Sequence, residues 1–198
     1  MIPADIKNVI VLSQYRSGST ALCNFLEKKF KLKNFGEIFH VDIPKSKQQE
    51  YLNSFNTIPS VIKIPGNNID QIPKNILKNI WSKNFTIRLT RNSFLLQSIS
   101  WYSANATDCW TSFNLGKNYL VPILPRSVTD KWIRNLHFQN HYIQSYIDRI
   151  DLECCYEDLN LTESSYKKLS KPLNYDRVYD HVDKSVKRTL DLCQICNN

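Results

Sequence analysis

A short turn near the amino end of the chain collects residue types that bind an oxyanion. An apolar run at 9–12 enters the turn, and apolar residues at helical spacing follow it. A buried strand that feeds a helix in this way converges backbone N–H groups and hydroxyls on one point, where the helix dipole is positive. The turn itself consists of Arg16, Ser17, Gly18, Ser19 and Thr20. These residues predict a phosphate-binding loop.

The predicted loop differs from the one that nucleotide kinases use. That version has a glycine-rich approach and a lysine directly before the Ser or Thr. Here no glycine precedes Gly18, the lysine expected before Ser19 is missing, and the cation is Arg16, two residues before Gly18. An aspartate that would hold Mg²⁺ at the end of a strand is not evident either. The pattern therefore indicates a phosphate loop that does not serve ATP hydrolysis.

A second anion-binding segment follows the predicted strand 85–90. Arg91 closes that strand, and a helix carrying Ser98 and Ser100 comes next. Because ligands of parallel sheets bind at the carboxyl ends of the strands, Arg91 and the first loop are expected at the same rim. An arginine fork with a hydroxyl would hold a second phosphate. Two phosphate sites suit an adenosine that is phosphorylated at both the 3′ and 5′ positions.

Strand-like and helix-like segments alternate along the chain. This alternation favours a parallel sheet covered by helices on both faces, an α/β, P-loop-like three-layer fold. No repeat or linker divides the sequence, so a single domain is expected over 1–198. The predicted strands are 7–13, 60–64, 85–90 and 151–156; the predicted helices are 19–30, 44–54, 69–81, 93–106, 127–148, 162–170 and 177–193; loops are predicted at 33–43 and 108–125.

The composition limits the classes of function. A net charge of +8 favours an anionic partner. The lysines are scattered, however, and form no basic stripe interleaved with aromatics, which argues against a nucleic-acid binder. No apolar run approaches the ~20 residues of a membrane span, so a cytoplasmic protein with free thiols is expected. Cys193 and Cys196 have metal or redox spacing but no second pair to complete a zinc site.

Several segments resemble sulfotransferases that use 3′-phosphoadenosine 5′-phosphosulfate (PAPS). SQYRSGSTAL is similar to their 5′-phosphosulfate loop, and LTRNSFLLQSISWYSA is similar to their 3′-phosphate segment. The similarity is greatest to the bacterial branch that includes the mycobacterial trehalose sulfotransferase. Three weaker segments follow in the family's order: Gly36-Glu37 with Phe39, Ile62-Lys63-Ile64, and 156–159. The resemblance implies a sulfotransferase that moves a sulfuryl group from PAPS to a hydroxyl acceptor, most simply a carbohydrate or glycolipid.

The resemblance also implies roles for individual residues in binding PAPS. The residues that would wrap the 5′ end are Arg16, Ser17, Gly18, Ser19 and Thr20, with Arg16 at the bridging oxygen. Arg91 and a serine of the following helix would hold the 3′-phosphate. Ser98 and Ser100 lie ~200° apart on a helix, so only one can face the site, and Ser100 directly precedes an aromatic pair as the family's serine precedes its aromatic. Tyr156 would contact the adenine or the 3′-phosphate.

The transfer itself needs a base for the acceptor hydroxyl and cations for the leaving oxygen. By resemblance Glu37 is the first candidate for the base and His40 is the second, while Lys63 would reach the transferring group. No metal is required for this chemistry. Trp110 would form a wall of the acceptor pocket. Ala21 stands where many cytosolic relatives have a tryptophan on the adenine, so the stacking partner must come from elsewhere.

Two other functions remain open at this stage. A degenerate relative would bind PAPS or its product without turnover. A P-loop small-molecule kinase would need the missing lysine and a Mg²⁺-holding aspartate. The sequence leaves the acceptor and the oligomeric state undetermined.

Overall fold

The computed structural model describes residues 7–107 and 125–156. The strands are β1 (Asn8–Ser13), β2 (Lys33–Gly36), β3 (Ser60–Pro65), β4 (Phe85–Thr90) and β5 (Leu152–Cys155). The α-helices are α1 (Ser19–Phe30), α2 (Lys45–Thr57), α3 (Lys74–Trp81), α4 (Phe94–Thr107) and α5 (Arg126–Gln144). Short 3-10 helices cover Gly66–Gln71 and Ile147–Arg149.

The five strands form one sheet in the order β2-β3-β1-β4-β5, and all four strand pairings are parallel. β1 lies at the centre, with Ser13 opposite Pro65 of β3 and Leu89 of β4. All five strands therefore end at the same edge of the sheet. The turn after β1 and Arg91 after β4 share this rim, as the sequence predicted.

Alternate residues of β1 supply two separate cores. Val9 and Val11 pack with Leu22 and Leu26 of α1 on one face of the sheet. Ile10 and Leu12 face the other side, where the packing partners include Leu52 and Phe55 of α2, Leu77 and Ile80 of α3, and Ile143 of α5. Every one of these side chains is buried, so both faces of the sheet are covered by helices. The predicted three-layer arrangement is confirmed.

The main differences from the predicted elements have local causes. The predicted loop 33–43 contains the edge strand β2, a four-residue segment that pairs with β3 through an irregular register. The predicted helix 69–81 is divided at Pro73, which ends the 3-10 turn and begins α3. Predicted helices 162–170 and 177–193 lie outside the described residues, as do Trp110, Cys193 and Cys196.

The chain divides into two compact units, Met1–Asn92 with Leu136–Asn160, and Ser93–Asn135 with Leu161–Asn198. The first unit contains the whole sheet. In the second, Trp101 of α4 packs on Trp132 of α5 with ring centroids 3.9 Å apart. Across the described parts of both units, no helix combines the length and apolar character that crossing a bilayer requires.

Candidate functional site

The turn between β1 and α1 has two residues with positive φ. Arg16 has φ 61° and Gly18, at the amino end of α1, has φ 86°. The first turn of α1 contains no acidic residue that would compete with a bound anion. The strand, the turn and the helix start predicted for this segment are all present, and the helix dipole points into the turn.

The base of the loop is fastened to α5. Gln14, which is buried, donates from Nε2 to the carbonyl of Leu136 at 3.0 Å. The backbone N–H of Tyr15 donates to Oε1 of Gln139 at 2.8 Å. The buried Ser17 hydroxyl donates to the carbonyl of Gln14 at 2.8 Å, so this side chain shapes the loop.

On the β3 side of the loop, three of the predicted residues come together. Lys63 Nζ lies 2.7 Å from Glu37 Oε1 and donates to Thr20 Oγ1 at 2.9 Å. The strand register explains the pairing with Glu37, since Gly36 of β2 lies opposite Ile62 of β3. Both charged side chains are largely shielded, with 15% and 21% of their surface exposed. We call Thr20, Glu37 and Lys63 the β3 flank.

On the β4 side, contacts reach the backbone of the loop. Arg91 Nη1 donates to the carbonyl of Arg16 at 3.0 Å, and the guanidinium lies 5.1 Å from the ring centroid of Tyr156. The Tyr156 ring in turn covers Gly18, since a Cβ there would approach ring carbons to 2.3 Å and 2.5 Å. We call Arg91 and Tyr156 the β4 flank.

The remaining candidates are His40 and the two serines of α4. His40 Nδ1 pairs with Asp42 at 3.3 Å, and its backbone N–H donates to the carbonyl of Glu37. The two serines belong to the second unit: Ser98 is fully buried and donates to the Leu95 carbonyl at 2.8 Å, whereas Ser100 is half-buried. The role of Ser100 in binding the 3′-phosphate stays a prediction.

Two polar residues at the rim were not among the sequence candidates. Tyr15 lies within the loop, and its phenol oxygen accepts a hydrogen bond from Asn67 Nδ2 at 3.2 Å. Burial and the Glu37 carboxylate raise the pKa of the Tyr15 phenol, although the hydrogen bond from Asn67 lowers it. The sequence signal that could have identified Tyr15 and Asn67 is their position just after β1 and β3, since parallel strands end at the same edge of a sheet.

Cysteine chemistry is not suggested at this rim. Cys23, Cys154 and Cys155 are free thiols, as expected of the described cysteines. Burial raises the pKa of the Cys23 thiol to about 12, so it stays protonated and unreactive at neutral pH. Among the described residues, no group of three or more His, Cys, Asp or Glu side chains is placed to hold a metal ion.

Comparisons with known proteins identify the type of fold. No protein-family model matches the chain, and no curated protein does either. Among solved structures, shikimate kinase from Bacteroides thetaiotaomicron is similar over 96% of this chain and 99% of its own, with a TM-score of 0.50 and 10% identity. Shikimate kinase from Aquifex aeolicus is similar over 82% of this chain and 93% of its own, with a TM-score of 0.43 and 10% identity.

The likeness to the Bacteroides enzyme, together with the parallel sheet, establishes an α/β, P-loop-like three-layer fold. At 10% identity the likeness extends to the fold alone. The chemistry must be argued from the residues at the rim.

Proposed function

We propose that this protein binds PAPS at the loop after β1 and transfers its sulfuryl group to a hydroxyl acceptor. The observation that carries the proposal is the position of Lys63, whose ammonium contacts both the Thr20 hydroxyl and the Glu37 carboxylate. An ammonium, a carboxylate and a hydroxyl of the loop therefore share one set of contacts. The co-linear resemblance of the sequence to PAPS-dependent sulfotransferases supports the same function.

Lys63 distinguishes this loop from that of a magnesium-dependent kinase. In such kinases the hydroxyl at the position of Thr20 binds Mg²⁺. Here that hydroxyl accepts a hydrogen bond from an ammonium group at 2.9 Å. A positive charge this close repels a divalent cation and attracts the oxygens of an anion. The arrangement therefore favours a phosphosulfate at this position over a metal-bound triphosphate.

The shape of the loop suits the 5′ end of PAPS. Gly18, with a φ of 86°, stands at the amino end of α1, where backbone N–H groups and the helix dipole attract a phosphate. The residues that would hold the 5′ end are Arg16, Ser17, Gly18, Ser19 and Thr20. Arg91 and Ser100 would hold the 3′-phosphate. Tyr156, in contact with Arg91, would lie beside the nucleotide.

When bound, PAPS supplies an activated sulfuryl group: the acceptor oxygen bonds to sulfur, the bond from sulfur to the bridging phosphate oxygen breaks, and that oxygen keeps the electron pair. Glu37 accepts the proton of the acceptor hydroxyl. Arg16 stabilises the negative charge on the departing phosphate oxygen, and Lys63 stabilises the charge on the moving group. His40 is the second candidate for the base, since its backbone is one turn away from Glu37.

A nucleotide-binding comparison tests the proposal. We expect adenosine 3′,5′-bisphosphate, the product of the reaction, to bind at least about tenfold more tightly than AMP, because a charge-assisted arginine contact contributes about 1.5–3 kcal/mol. Isothermal titration of both nucleotides measures the ratio. Equal affinity would contradict the proposal. Incubation with PAPS and a panel of sugars, lipids and alcohols then separates an enzyme from a binding protein without turnover.

A P-loop small-molecule kinase is the second candidate. It is favoured by the fold likeness to shikimate kinase and by a threonine at the position of the metal-binding hydroxyl. A kinase would bind ATP with Mg²⁺ more tightly than the bisphosphate, and Lys63→Met would strengthen Mg²⁺ dependence by removing the competing ammonium. Running ATP with and without Mg²⁺ in the same titration therefore distinguishes the two functions.

A further inference from the structure

We propose that Tyr15 and Asn67 form an acceptor subsite that selects neutral polyols, molecules with two or more neighbouring hydroxyl groups. The inference rests on the proposed function, which places the reacting hydroxyl at Glu37. It adds the part of the site that recognises the rest of the acceptor.

The two residues are placed together by the sheet. Ser13 of β1 lies opposite Pro65 of β3, and Tyr15 and Asn67 each follow two positions later. The contact between Asn67 Nδ2 and the Tyr15 phenol oxygen, at 3.2 Å, closes the gap between the two strand ends. The N–H of Tyr15 is also held by Gln139 at 2.8 Å, so the phenol is positioned from both ends.

The same register places this pair on the rim that carries Glu37. Lys63, the partner of Glu37, precedes Pro65 by two residues on β3, and Asn67 follows it by two. The influence of the Glu37 carboxylate on the pKa of the Tyr15 phenol agrees with this proximity. A polyol whose reacting hydroxyl is held at Glu37 would therefore extend along the rim that carries Tyr15 and Asn67.

The chemistry of the pair suits hydroxyl groups. Among the described residues, Asn67 Oδ1 is buried and has no hydrogen-bond partner. An acceptor left in this state costs stability, and a ligand hydroxyl that reaches it recovers the loss. Tyr15 keeps its proton, because the net effect of its surroundings is to raise its pKa. An amide, a phenol and a carboxylate offer hydrogen-bond donors and acceptors to neighbouring hydroxyl groups, so together they suit a neutral polyol.

The test compares two ring alcohols that differ only in the number of hydroxyls, myo-inositol and cyclohexanol, with glucose as a second polyol. Each is titrated into the protein alone and into the protein loaded with adenosine 3′,5′-bisphosphate. We expect at least one polyol to bind about tenfold more tightly than cyclohexanol, as one additional good hydrogen bond allows. Tyr15→Phe, which keeps the ring, should remove most of this preference without changing the affinity for the bisphosphate. Asn67→Ala should do the same.

Tyr51→Phe is the matched control, because Tyr51 is a half-buried tyrosine on α2 that packs on Phe35. It should leave the preference intact. If both polyols bind no better than cyclohexanol, or if Tyr15→Phe keeps the full preference, the subsite is overturned even when the bisphosphate binds. If polyol preference depends on Tyr15 but the bisphosphate does not bind, the proposed sulfuryl transfer fails and the polyol subsite stands.

Discussion

Lys63 of the β3 flank contacts a side chain of the loop, whereas Arg91 and Tyr156 of the β4 flank contact its backbone. Lys63 bonds the Thr20 hydroxyl and the Glu37 carboxylate, both of which can exchange partners when a ligand arrives. Arg91 bonds the carbonyl of Arg16, and Tyr156 covers Gly18, so both fix residues whose φ is positive. We infer that the β3 flank performs chemistry and the β4 flank maintains the shape of the loop. Substitutions in the β3 flank should therefore lower turnover, and substitutions in the β4 flank should lower the stability of the loop.

The largest effect is expected on turnover from the β3 flank. Glu37→Gln keeps the size of the side chain but removes the base, and loss of a general base typically costs about 10²–10⁴-fold in rate. The affinity for adenosine 3′,5′-bisphosphate should change little, because Glu37 is joined to the loop through Lys63. Single-turnover transfer from radiolabelled PAPS to a polyol measures the rate.

Glu50→Gln, on the exposed side of α2, is the control for loss of one negative charge. It should transfer at the wild-type rate. Full activity in Glu37→Gln together with loss in His40→Ala would move the role of base to the histidine. Loss of bisphosphate affinity in Glu37→Gln would show that the β3 flank also shapes the loop, which would break the comparison between the two sides.

The next effect is on the shape of the loop. Gly18→Ala combines a φ of 86° with a Cβ 2.3 Å from a carbon of Tyr156. Left-handed backbone costs an L-residue about 1–2 kcal/mol, and overpacking adds about 1–3 kcal/mol. We expect a loss of roughly 2–5 kcal/mol in the free energy of unfolding, measured with urea, and loss of bisphosphate binding.

Gly36→Ala is matched to that change, since Gly36 has a φ of 63° and nothing within 4 Å of the added Cβ. This variant should lose only the cost of the left-handed backbone, about 1–2 kcal/mol of the free energy of unfolding. The double variant Gly18→Ala with Tyr156→Ala should recover the part due to overpacking. Equal losses for Gly18→Ala and Gly36→Ala would mean that the Tyr156 ring yields readily, so the β4 flank does not fix the loop.

The central strand and its helix differ from the β3 flank in how far the sequence could predict them. The continuous burial of β1 and the bounds of α1 follow from local pattern, and both were predicted correctly. The pairing of Glu37 with Lys63 was not predicted, because β2 is too short and polar to be recognised as a strand. The contact of Tyr15 with Gln139 joins residues 124 positions apart. Such contacts depend on how distant elements pack, and no local pattern encodes them.

A smaller effect distinguishes two roles for Arg91. If Arg91 binds the 3′-phosphate, Arg91→Ala should lower the affinity for adenosine 3′,5′-bisphosphate by about tenfold or more and leave the affinity for AMP nearly unchanged. If it only shapes the loop through the Arg16 carbonyl, both nucleotides should weaken equally. Parallel titrations of the two nucleotides separate these outcomes. Arg149→Ala, at an exposed arginine before β5, controls for the loss of a positive charge and should change neither affinity.

The smallest effect is expected on α4, where the two serines provide their own control. Ser100 is half-buried, whereas Ser98 is fully buried with its hydroxyl donated to the Leu95 carbonyl at 2.8 Å. A neutral hydrogen bond contributes about 0.5–1.5 kcal/mol, so Ser100→Ala should lower the affinity for the bisphosphate by only about two- to tenfold. Ser98→Ala should leave that affinity unchanged. The reverse result would place the other face of α4 against the 3′-phosphate, and no effect from either would restrict 3′-phosphate recognition to the β4 flank.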